Sequence, residues 1–458
     1  MPLGRRTFLK TLAVGGLLAA DRRGVLPRGA SGSDSVTVGI PELVNGSIQL
    51  NGSVTLPAPA QSGIDHVVVV TMENRSFDHF LGWLPGANGM QAGLSYADPN
   101  GVRRNTYPLA PDYTGCPHPD PDHSYSGSRI CYNNGAMDGF LRDTANDAYC
   151  VGYYGAADLP FYGALAQQYL VCDTYFASIL GPTFSNRLFS WSAQTDRLDD
   201  TVSPTGLPTI FDRLAEAHVS HRYFFNNLPF LGLWGTTYAS STGVYAEFLL
   251  RAAIGALPAV SFVDPIFTVL DDGTGNDDHP HADIRNGEAF LSQVFQALAT
   301  GPAWKSTVLI VTFDEWGGFF EHVAPPRAPA GNDIDTDMVN GQVLLGMRVP
   351  TIVASPFTRN TGNAPLVSNI VFDHTSALKL IEWRWGLEPL TPRDASPLIG
   401  NFAMAMNFSN PDSQVPSLPK PAGVSSAGCP QAIGGIFDSD AVRPSPWAAF
   451  ARALGGPR

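Results

Sequence analysis

Two apolar runs in the chain each end abruptly in a pair of polar side chains. HVVVVTM leads into Glu73 and Asn74, and TVLIVTF leads into Asp314 and Glu315. Continuous runs of apolar, mostly β-branched residues predict strands that are covered on both faces, as in a parallel sheet. Adjacent carboxylates repel each other, so Asp314 and Glu315 need a cation or another stabilising partner. The alternative is a polar strand end followed by a simple Gly-Gly turn.

Segments with helical spacing alternate with these and further predicted strands. Helical patterns precede the strand HRYFF, a strand over 259–263 and the strand over 307–313. This alternation predicts an α/β sandwich built on a mostly parallel sheet. Because ligands bind outside the carboxyl ends of the strands in such sheets, acids at several strand ends are expected to converge there. Asp264 ends a third strand, and the oxygen donors of the first two pairs suit a divalent metal ion.

A long excursion and a polar loop supply candidate histidines. Residues from about 86 to 160 are rich in Gly, Pro, Asp, Asn and Tyr, which is typical of an ordered segment over the strand ends, and they include His123. NDDHPHADI places His279 and His281 just before a predicted helix. These side chains could bond a phosphoryl oxygen or protonate a leaving oxygen. The alternatives are a metal-binding role for the pair and an ordinary surface position for each histidine.

The segment GPTFSNRLFSW contains a candidate nucleophile. Gly181 and Pro182 break the chain, and Thr183 stands just ahead of a predicted helix. A hydroxyl at a helix N-terminus faces an environment that favours anions, and a metal ion bound to the same oxygen would make it a nucleophile. The simpler alternative is that Thr183 only caps the helix.

The first residues resemble a twin-arginine export signal. GRRTFLKTLAVGGLLAA combines paired arginines with an apolar run that is too short to remain as a membrane-spanning helix. We therefore expect residues 1–33 to be the signal and a linker, the export machinery to be a partner, and the mature enzyme to be periplasmic or secreted. The alternative is that this segment is a basic first helix of the folded domain.

The charge balance limits the partners. A net charge of −13 argues against nucleic acid, which needs a basic face, and against electrostatic docking on an anionic membrane. It is compatible with a neutral or zwitterionic lipid substrate and with transient contact at a membrane surface.

The five cysteines fit an exported protein, because disulfides persist in oxidising compartments. Cys116, Cys131, Cys150 and Cys172 lie in one loop-rich region, whereas Cys429 stands alone near the C-terminus. Disulfides are expected among the first four, and the sequence does not choose between the three connectivities that four cysteines allow.

Four motifs together are similar to those of the bacterial and plant phosphoesterase family: MENRSFDHFLGWL, GPTFSNR, DDHPHADI and FDEWGGFFEHVAPP. The resemblance covers roughly residues 64 to 390. The family includes phosphatidylcholine-hydrolysing phospholipases C, plant non-specific phospholipases C and certain acid phosphatases. The resemblance implies an alkaline-phosphatase-like three-layer α/β/α fold and a metal-dependent phosphoenzyme mechanism. Threonine within the GPT motif is more similar to the phospholipases C, since the acid phosphatases more often carry serine.

The resemblance also implies roles for individual residues. Thr183 matches the nucleophile, which also contacts the metal ion. The divalent cation, whether Ca²⁺, Mg²⁺, Mn²⁺ or Zn²⁺, would be held by this threonine together with four further side chains: Glu73, Asn74, Asp314 and Glu315. The phosphoryl site would be lined by three histidines and contacted by one asparagine: His123, His279, His281 and Asn186.

These inferences predict a phospholipase C that hydrolyses the glycerol–phosphate bond of lipids such as phosphatidylcholine through a phosphothreonine intermediate. We expect a catalytic domain over residues 34–400 and an irregular tail over 401–458 that packs on it. The alternatives are a broad-specificity acid phosphatase that uses the same site and, more remotely, a non-catalytic exported binding protein.

Overall fold

The computed structural model describes residues 34–269, 273–426, 428–429 and 446–455, so the predicted export signal over 1–33 lies outside the described residues. The strands are, in chain order, β1 (Val36–Val44), β2 (Ser47–Leu56), β3 (His66–Met72), β4 (Ser95–Ala97), β5 (Arg103–Asn105), β6 (Tyr107–Pro108), β7 (Gly152–Tyr153), β8 (Leu170–Cys172), β9 (His221–Phe225), β10 (Thr242–Val244), β11 (Val260–Val263), β12 (Thr307–Phe313), β13 (Arg327–Pro329), β14 (Gln342–Leu344), β15 (Ile352–Ala354) and β16 (Leu366–Ser368). The α-helices are α1 (Phe77–Leu81), α2 (Tyr125–Tyr132), α3 (Pro160–Gln168), α4 (Thr183–Ser192), α5 (Ile210–Glu216), α6 (Tyr245–Ile254), α7 (Ile284–Ala299), α8 (Thr375–Trp385), α9 (Pro392–Ala395) and α10 (Pro446–Ala453). None of the helices in these ranges combines the length and the apolar character needed to cross a bilayer.

Eight strands form one central sheet in the order β10-β9-β11-β3-β12-β15-β8-β16. Neighbouring strands run parallel, except that β15 lies antiparallel to both β12 and β8. Every residue of β12 is buried, and β3 is buried apart from partly exposed His66 at its start. The continuous apolar runs therefore form central strands of a mostly parallel sheet, as predicted.

Helices cover both faces of the sheet. Phe262 in β11 and Phe313 in β12 point to opposite faces, because they lie level with residues that are three positions apart on β3. Trp191 in α4 packs against Phe262 with ring centroids 6.0 Å apart, and Tyr162 in α3 packs against Phe313 at 6.0 Å. The predicted α/β class is thus confirmed as a three-layer α/β/α sandwich.

The disulfide prediction is wrong. Cys116 pairs with Cys429, which is 313 residues away in sequence, whereas Cys131, Cys150 and Cys172 are free and buried. Cys131 and Cys150 belong to an apolar cluster, where burial raises the pKa of both thiols and keeps them protonated. Closeness in sequence is a poor guide here because the C-terminal segment returns across the fold.

The C-terminal segment is also more ordered than predicted. Residues 411–426 have no regular structure, but α10 is a helix whose Trp447 and Phe450 are buried in the main apolar core. The expectation of a wholly irregular tail is corrected by this helix. Its apolar residues recur at helical spacing and gain stability by covering core side chains.

Candidate active site

The ends of β3 and β12 place the two polar pairs side by side. The strands pair in register up to their last residues, so Glu73 and Asp314 leave the sheet together. Both side chains are fully buried, as are those of Asn74 and Glu315. The structure therefore brings together the four oxygen donors that the sequence placed at strand ends.

Backbone amides fix the orientation of the carboxylates. Asp314 Oδ1 accepts hydrogen bonds from the N–H groups of Asn74 at 3.0 Å and Glu315 at 2.7 Å, and Glu315 Oε2 accepts one from Gly317 at 2.8 Å. Position 317 requires glycine, because φ there is +63° and a Cβ would lie 2.0 Å from the carbonyl oxygen of Asn74. The glycine pair thus allows the two strand ends to approach closely.

Thr183 opens α4 beside these side chains. Its buried hydroxyl donates to Asn74 Oδ1 at 3.4 Å, and Asn74 Nδ2 donates to His123 Nε2 at 3.2 Å. His123 Nε2 in turn lies 3.9 Å from Glu315 Oε1. The predicted nucleophile and one predicted histidine are therefore linked to the buried acids through the same asparagine.

Thr183 does not cap its helix. Pro182 is the N-cap residue and supplies no capping side chain, and the N–H group of Phe184 donates instead to Asp200 Oδ1 at 2.8 Å. A carboxylate from a separate loop thus satisfies the helix terminus. The capping alternative fails, and the Thr183 hydroxyl remains directed at Asn74.

Arg187 lies one helical turn after Thr183, on the same side of α4. Its Nε donates to Glu73 Oε1 at 2.7 Å and to Asp314 Oδ2 at 3.3 Å, and its Nη1 donates to Asp264 Oδ1 at 3.2 Å. One buried guanidinium therefore orients three carboxylates and compensates part of their charge. Its four-residue spacing from Thr183 was the signal in the sequence that could have identified it.

Two oxygens of this cluster, Glu73 Oε2 and Glu315 Oε1, have no hydrogen-bond partner among the described residues. Burial raises the pKa of Glu73 well above its usual range, and the charge of Arg187 only partly offsets this. Burial, reinforced by the charge of Asp314, also raises the pKa of Glu315. Unpaired buried carboxylates are strongly unfavourable. The donor set therefore fits a divalent cation that prefers oxygen ligands.

His279 lies in the loop before α7 and is fully buried, with Nε2 3.6 Å from Asp120 Oδ2. Burial lowers the pKa of His279 well below its usual range, and the charges of His281 and His123 add to this effect. The ring is therefore neutral in the free protein and suited to donate one N–H hydrogen bond. The sequence argument did not single out Asp120.

Arg75 ties this loop to the strand end. Its Nε donates to the carbonyl of Asp278 at 2.6 Å and its Nη2 donates to the carbonyl of His279 at 3.1 Å. His281 is held by the excursion, because its Nε2 donates to the carbonyl of His118 at 3.0 Å. Burial lowers the pKa of His281 to about 4.

Asn186 lies elsewhere than predicted. Its Nδ2 donates to the carbonyls of Ile179 at 3.2 Å, Gly181 at 3.0 Å and Pro182 at 3.3 Å, and its Oδ1 accepts from the N–H group of Ile179 at 3.1 Å. The side chain points back into the turn that presents Thr183. This corrects the expected contact with a phosphoryl oxygen, because the amide is committed to the backbone.

A cavity of about 430 Å³ forms the approach to His123 and to the start of α4. The excursion and the loop after α4 line it with acidic side chains: Asp120, Asp122, Asp199 and Asp200. The catalytic candidates are therefore reached through a negatively charged entrance.

A second group of buried acids lies near the start of α1. Asp78, Glu321 and His322 each offer a possible ligand atom within 4.8 Å of the others, an arrangement that could hold a metal ion. Arg348, however, already donates to Asp78 Oδ1 at 3.2 Å and to Glu321 Oε1 at 2.6 Å. His322 Nδ1 donates to Asp78 Oδ2 at 2.6 Å. We refer to these four residues as the Arg348 cluster.

Comparison with known proteins gives consistent matches over most of the chain. Residues 64–388 match the model of the Phosphoesterase family. Phospholipase C A of Mycobacterium tuberculosis is 32% identical over 440 residues, which covers 80% of this chain and 82% of that protein. Non-specific phospholipase C6 of Arabidopsis thaliana is 32% identical over 373 residues, covering 73% of this chain and 71% of that protein.

Solved structures give weaker similarity. A phosphonate monoester hydrolase of Agrobacterium radiobacter has a TM-score of 0.37 at 12% identity, covering 76% of this chain and 78% of that chain. A protein in the alkaline phosphatase superfamily from Vibrio parahaemolyticus has a TM-score of 0.34 at 10% identity, covering 79% of this chain and 71% of that chain.

Proposed function

Because the chain belongs to the phosphoesterase family and is a phosphoric ester hydrolase, we propose that it is a metal-dependent phospholipase C. Its substrates would be phospholipids such as phosphatidylcholine, cleaved at the glycerol–phosphate bond. The observation that carries this proposal is the Thr183 hydroxyl, which lies against Asn74 beside buried carboxylate oxygens without partners among the described residues. The names of the mycobacterial and plant relatives support the choice of lipid substrate.

We refer to the four side chains at the ends of β3 and β12 as the acidic cluster: Glu73, Asn74, Asp314 and Glu315. Together with the proposed nucleophile Thr183, they would hold the divalent cation. When bound, the cation would withdraw charge from the threonine oxygen and offset the repulsion between the carboxylates. Arg187 keeps the remaining oxygens of Glu73 and Asp314 in place.

The chemistry of the chain itself then has two steps. In the first, Thr183 Oγ1 gives its proton to His123 Nε2 and attacks phosphorus, the bond from phosphorus to the glyceride oxygen breaks, and that oxygen takes the proton from His123. In the second, water gives a proton to His123 Nε2 and attacks phosphorus, the bond from phosphorus to Thr183 Oγ1 breaks, and the threonine oxygen takes the proton back as the phosphorylated head group leaves. His123 suits this exchange because its Nδ1 donates to the carbonyl of Pro121 at 2.7 Å, so the lone pair that can take a proton is on Nε2, which accepts from Asn74 Nδ2 on the side of Thr183.

Neutral His279 supports the transferred group by donating a hydrogen bond to a phosphoryl oxygen, which stabilises charge that develops in the transition state. Asp120, at 3.6 Å from His279 Nε2, helps to orient the ring. The acidic entrance favours a phosphodiester with a cationic head group over a doubly charged phosphomonoester. The acidic entrance therefore favours the phospholipase function over the acid phosphatase function.

The test is to trap the covalent intermediate. Brief incubation with p-nitrophenyl phosphorylcholine and an acid quench should yield a peptide spanning Gly181 to Arg187 that carries phosphorylcholine on Thr183, detected by mass spectrometry. Thr183→Ala should lose at least about 10³-fold in kcat/KM because the whole covalent path is blocked. Thr183→Ser should keep part of the activity, since the hydroxyl remains while the rotamer-fixing methyl is lost. Activity of Thr183→Ala within about tenfold of wild type would contradict the proposal.

The proposal includes export of the folded enzyme to the periplasm or beyond, on the strength of the N-terminal arginine pair. Replacing Arg5 and Arg6 by lysine should retain the protein in the cytoplasm, because the export receptor reads the guanidinium groups rather than charge alone. Normal amounts of the double variant outside the cytoplasm, measured by fractionation, would contradict this assignment.

A further inference from the structure

The helix α10 lies beyond the region that matches the family, yet it reaches the candidate active site. The family match ends at residue 388, whereas α10 spans Pro446–Ala453. Pro446 lines the cavity above the start of α4, and the next side chain, Trp447, is fully buried. A helix outside the matched family region therefore forms part of the cavity wall.

Trp447 packs on the residues that surround Arg187. Its ring stacks on Phe267 with centroids 3.7 Å apart and an interplanar angle of 15°. The central guanidinium carbon of Arg187 lies 4.7 Å from the centroid of the Phe267 ring and 5.4 Å from that of the Trp447 ring. These three distances place the guanidinium beside the stacked pair, against the edges of both rings, where the rings limit the space in which it can move.

The position of this guanidinium matters because it orients the buried acids. Arg187 donates to Glu73, Asp314 and Asp264 in fixed directions, and a planar guanidinium satisfies several acceptors only while its plane is held. A flexible arginine side chain has several rotamers, and packing against the two rings restricts it to the one that serves these acceptors.

The same indole contacts the helix that carries the nucleophile. Trp447 lies 5.5 Å, between ring centroids, from Phe184, the residue after Thr183. Displacement of Trp447 would therefore disturb both the arginine that orients the acids and the first turn of α4. No other ring described from the C-terminal segment has both contacts: Phe450 lies 6.3 Å from Phe184 but is not placed over Arg187.

We propose that Trp447 is a positioning residue of the active site, which holds Arg187 in place by packing beside its guanidinium and thereby sets the orientation of Glu73 and Asp314. The C-terminal helix α10 is then an integral part of the catalytic unit. This inference rests on the proposed function for the role of Glu73 and Asp314, and it requires phosphoester hydrolysis but no particular head group.

The test compares Trp447→Ala with Trp447→Phe and with the control Phe450→Ala, which removes a buried ring of the same helix that does not lie over Arg187. For each protein, kcat and KM are measured with p-nitrophenyl phosphorylcholine and p-nitrophenyl phosphate, together with Tm. Trp447→Ala should lose at least about tenfold in kcat with KM within about threefold, because orientation of the reacting groups is lost while substrate access is kept. Trp447→Phe and Phe450→Ala should both stay within about threefold of the wild-type kcat, since each keeps an aromatic ring at position 447 packed beside Arg187.

A second readout does not depend on turnover. The rise in Tm that added Ca²⁺, Mg²⁺, Mn²⁺ or Zn²⁺ produces in the wild type should fall by at least half in Trp447→Ala and persist in Phe450→Ala. If Trp447→Ala and Phe450→Ala lose equal kcat at equal loss of Tm, or if Trp447→Phe recovers nothing, Trp447 only packs the core and the inference is overturned. A wild-type enzyme that cleaves the monoester alone would instead contradict the proposed phospholipase function, and the inference would still be decided with that substrate.

Discussion

The acidic cluster at the ends of β3 and β12 and the Arg348 cluster contain similar residues but differ in how their charge is compensated. In the Arg348 cluster, each carboxylate oxygen of Asp78 and Glu321 accepts at least one hydrogen bond. In the acidic cluster, Arg187 contacts three carboxylates, yet Glu73 Oε2 and Glu315 Oε1 have no hydrogen-bond partner among the described residues. Residue types alone therefore do not identify a cation site. The unsatisfied buried oxygens distinguish the proposed site from the Arg348 cluster.

The largest expected effect comes from removing one charge in each cluster. Asp314→Asn should lower kcat/KM by about 10²–10³-fold, as expected when one group of a preorganised site is lost. Its stability should stay within about 1 kcal/mol of wild type, because the change also relieves repulsion among buried carboxylates.

Asp78→Asn should show the opposite pattern. It should destabilise the fold by about 3 kcal/mol, because the buried charge of Arg348 loses a partner. The kcat/KM of Asp78→Asn, normalised to the amount of folded protein, should remain at the wild-type value. Urea unfolding and active-site-normalised kinetics on both variants check the comparison, and a loss of activity in Asp78→Asn without a loss of stability would break it.

Cation binding gives an intermediate effect. A divalent cation at about 100 times its Kd should add about 2.7 kcal/mol to the stability of the wild type. Glu315→Gln should abolish most of this gain because it removes an anionic oxygen ligand, whereas Glu321→Gln should keep it. The measurement is Tm with and without added cation after treatment with a chelator. Equal loss of the gain in both variants would show that the two clusters are not distinguished by their unsatisfied oxygens.

The smallest expected effect is the pH dependence of the contribution that His322 in the Arg348 cluster makes to the free energy of unfolding. Burial lowers the pKa of His322, but its hydrogen bond to Asp78 and the charges of Glu321 and Asp78 outweigh burial, so the net shift is upward. A histidine with a raised pKa stabilises the fold fully below its unfolded pKa of about 6.5, and this contribution disappears as pH rises through the folded pKa.

His322→Gln should therefore be less stable than the wild type by about 1 kcal/mol at pH 6, and the difference should shrink by pH 9. Urea unfolding of both proteins at the two pH values measures this, and the comparison cancels the groups that titrate equally in both. If the free energies of unfolding of the two proteins differ by the same amount at both pH values, protonation of His322 does not stabilise the cluster.

The sheet and the acidic pairs could be predicted because local sequence determines both. A continuous apolar run specifies a doubly covered strand, and parallel neighbours bring their carboxyl ends to one edge. Glu73 and Asp314 were therefore expected to meet. His123 and His279 followed from polar loops next to the same edge, together with the resemblance to known motifs.

Other features depend on contacts between distant segments that leave no local pattern. Asn186 reads as a polar helix residue, and only the turn at 179–182 shows that its amide is used by the backbone. The partner of Cys116 lies 313 residues away. Trp447 reaches Arg187 through the return of a segment whose composition indicated only an irregular tail. In each case the deciding interaction is tertiary, and periodicity carries no information about it.

The bridge between Cys116 and Cys429 also sets the order of events in biosynthesis. Because its second cysteine is residue 429 of the 458 in this sequence, it cannot form until most of these residues have been synthesised. A chain that terminates before residue 429 never acquires it. Oxidation is therefore a late event, and the formed bridge shows that the C-terminal segment has already returned to the excursion that contains Cys116.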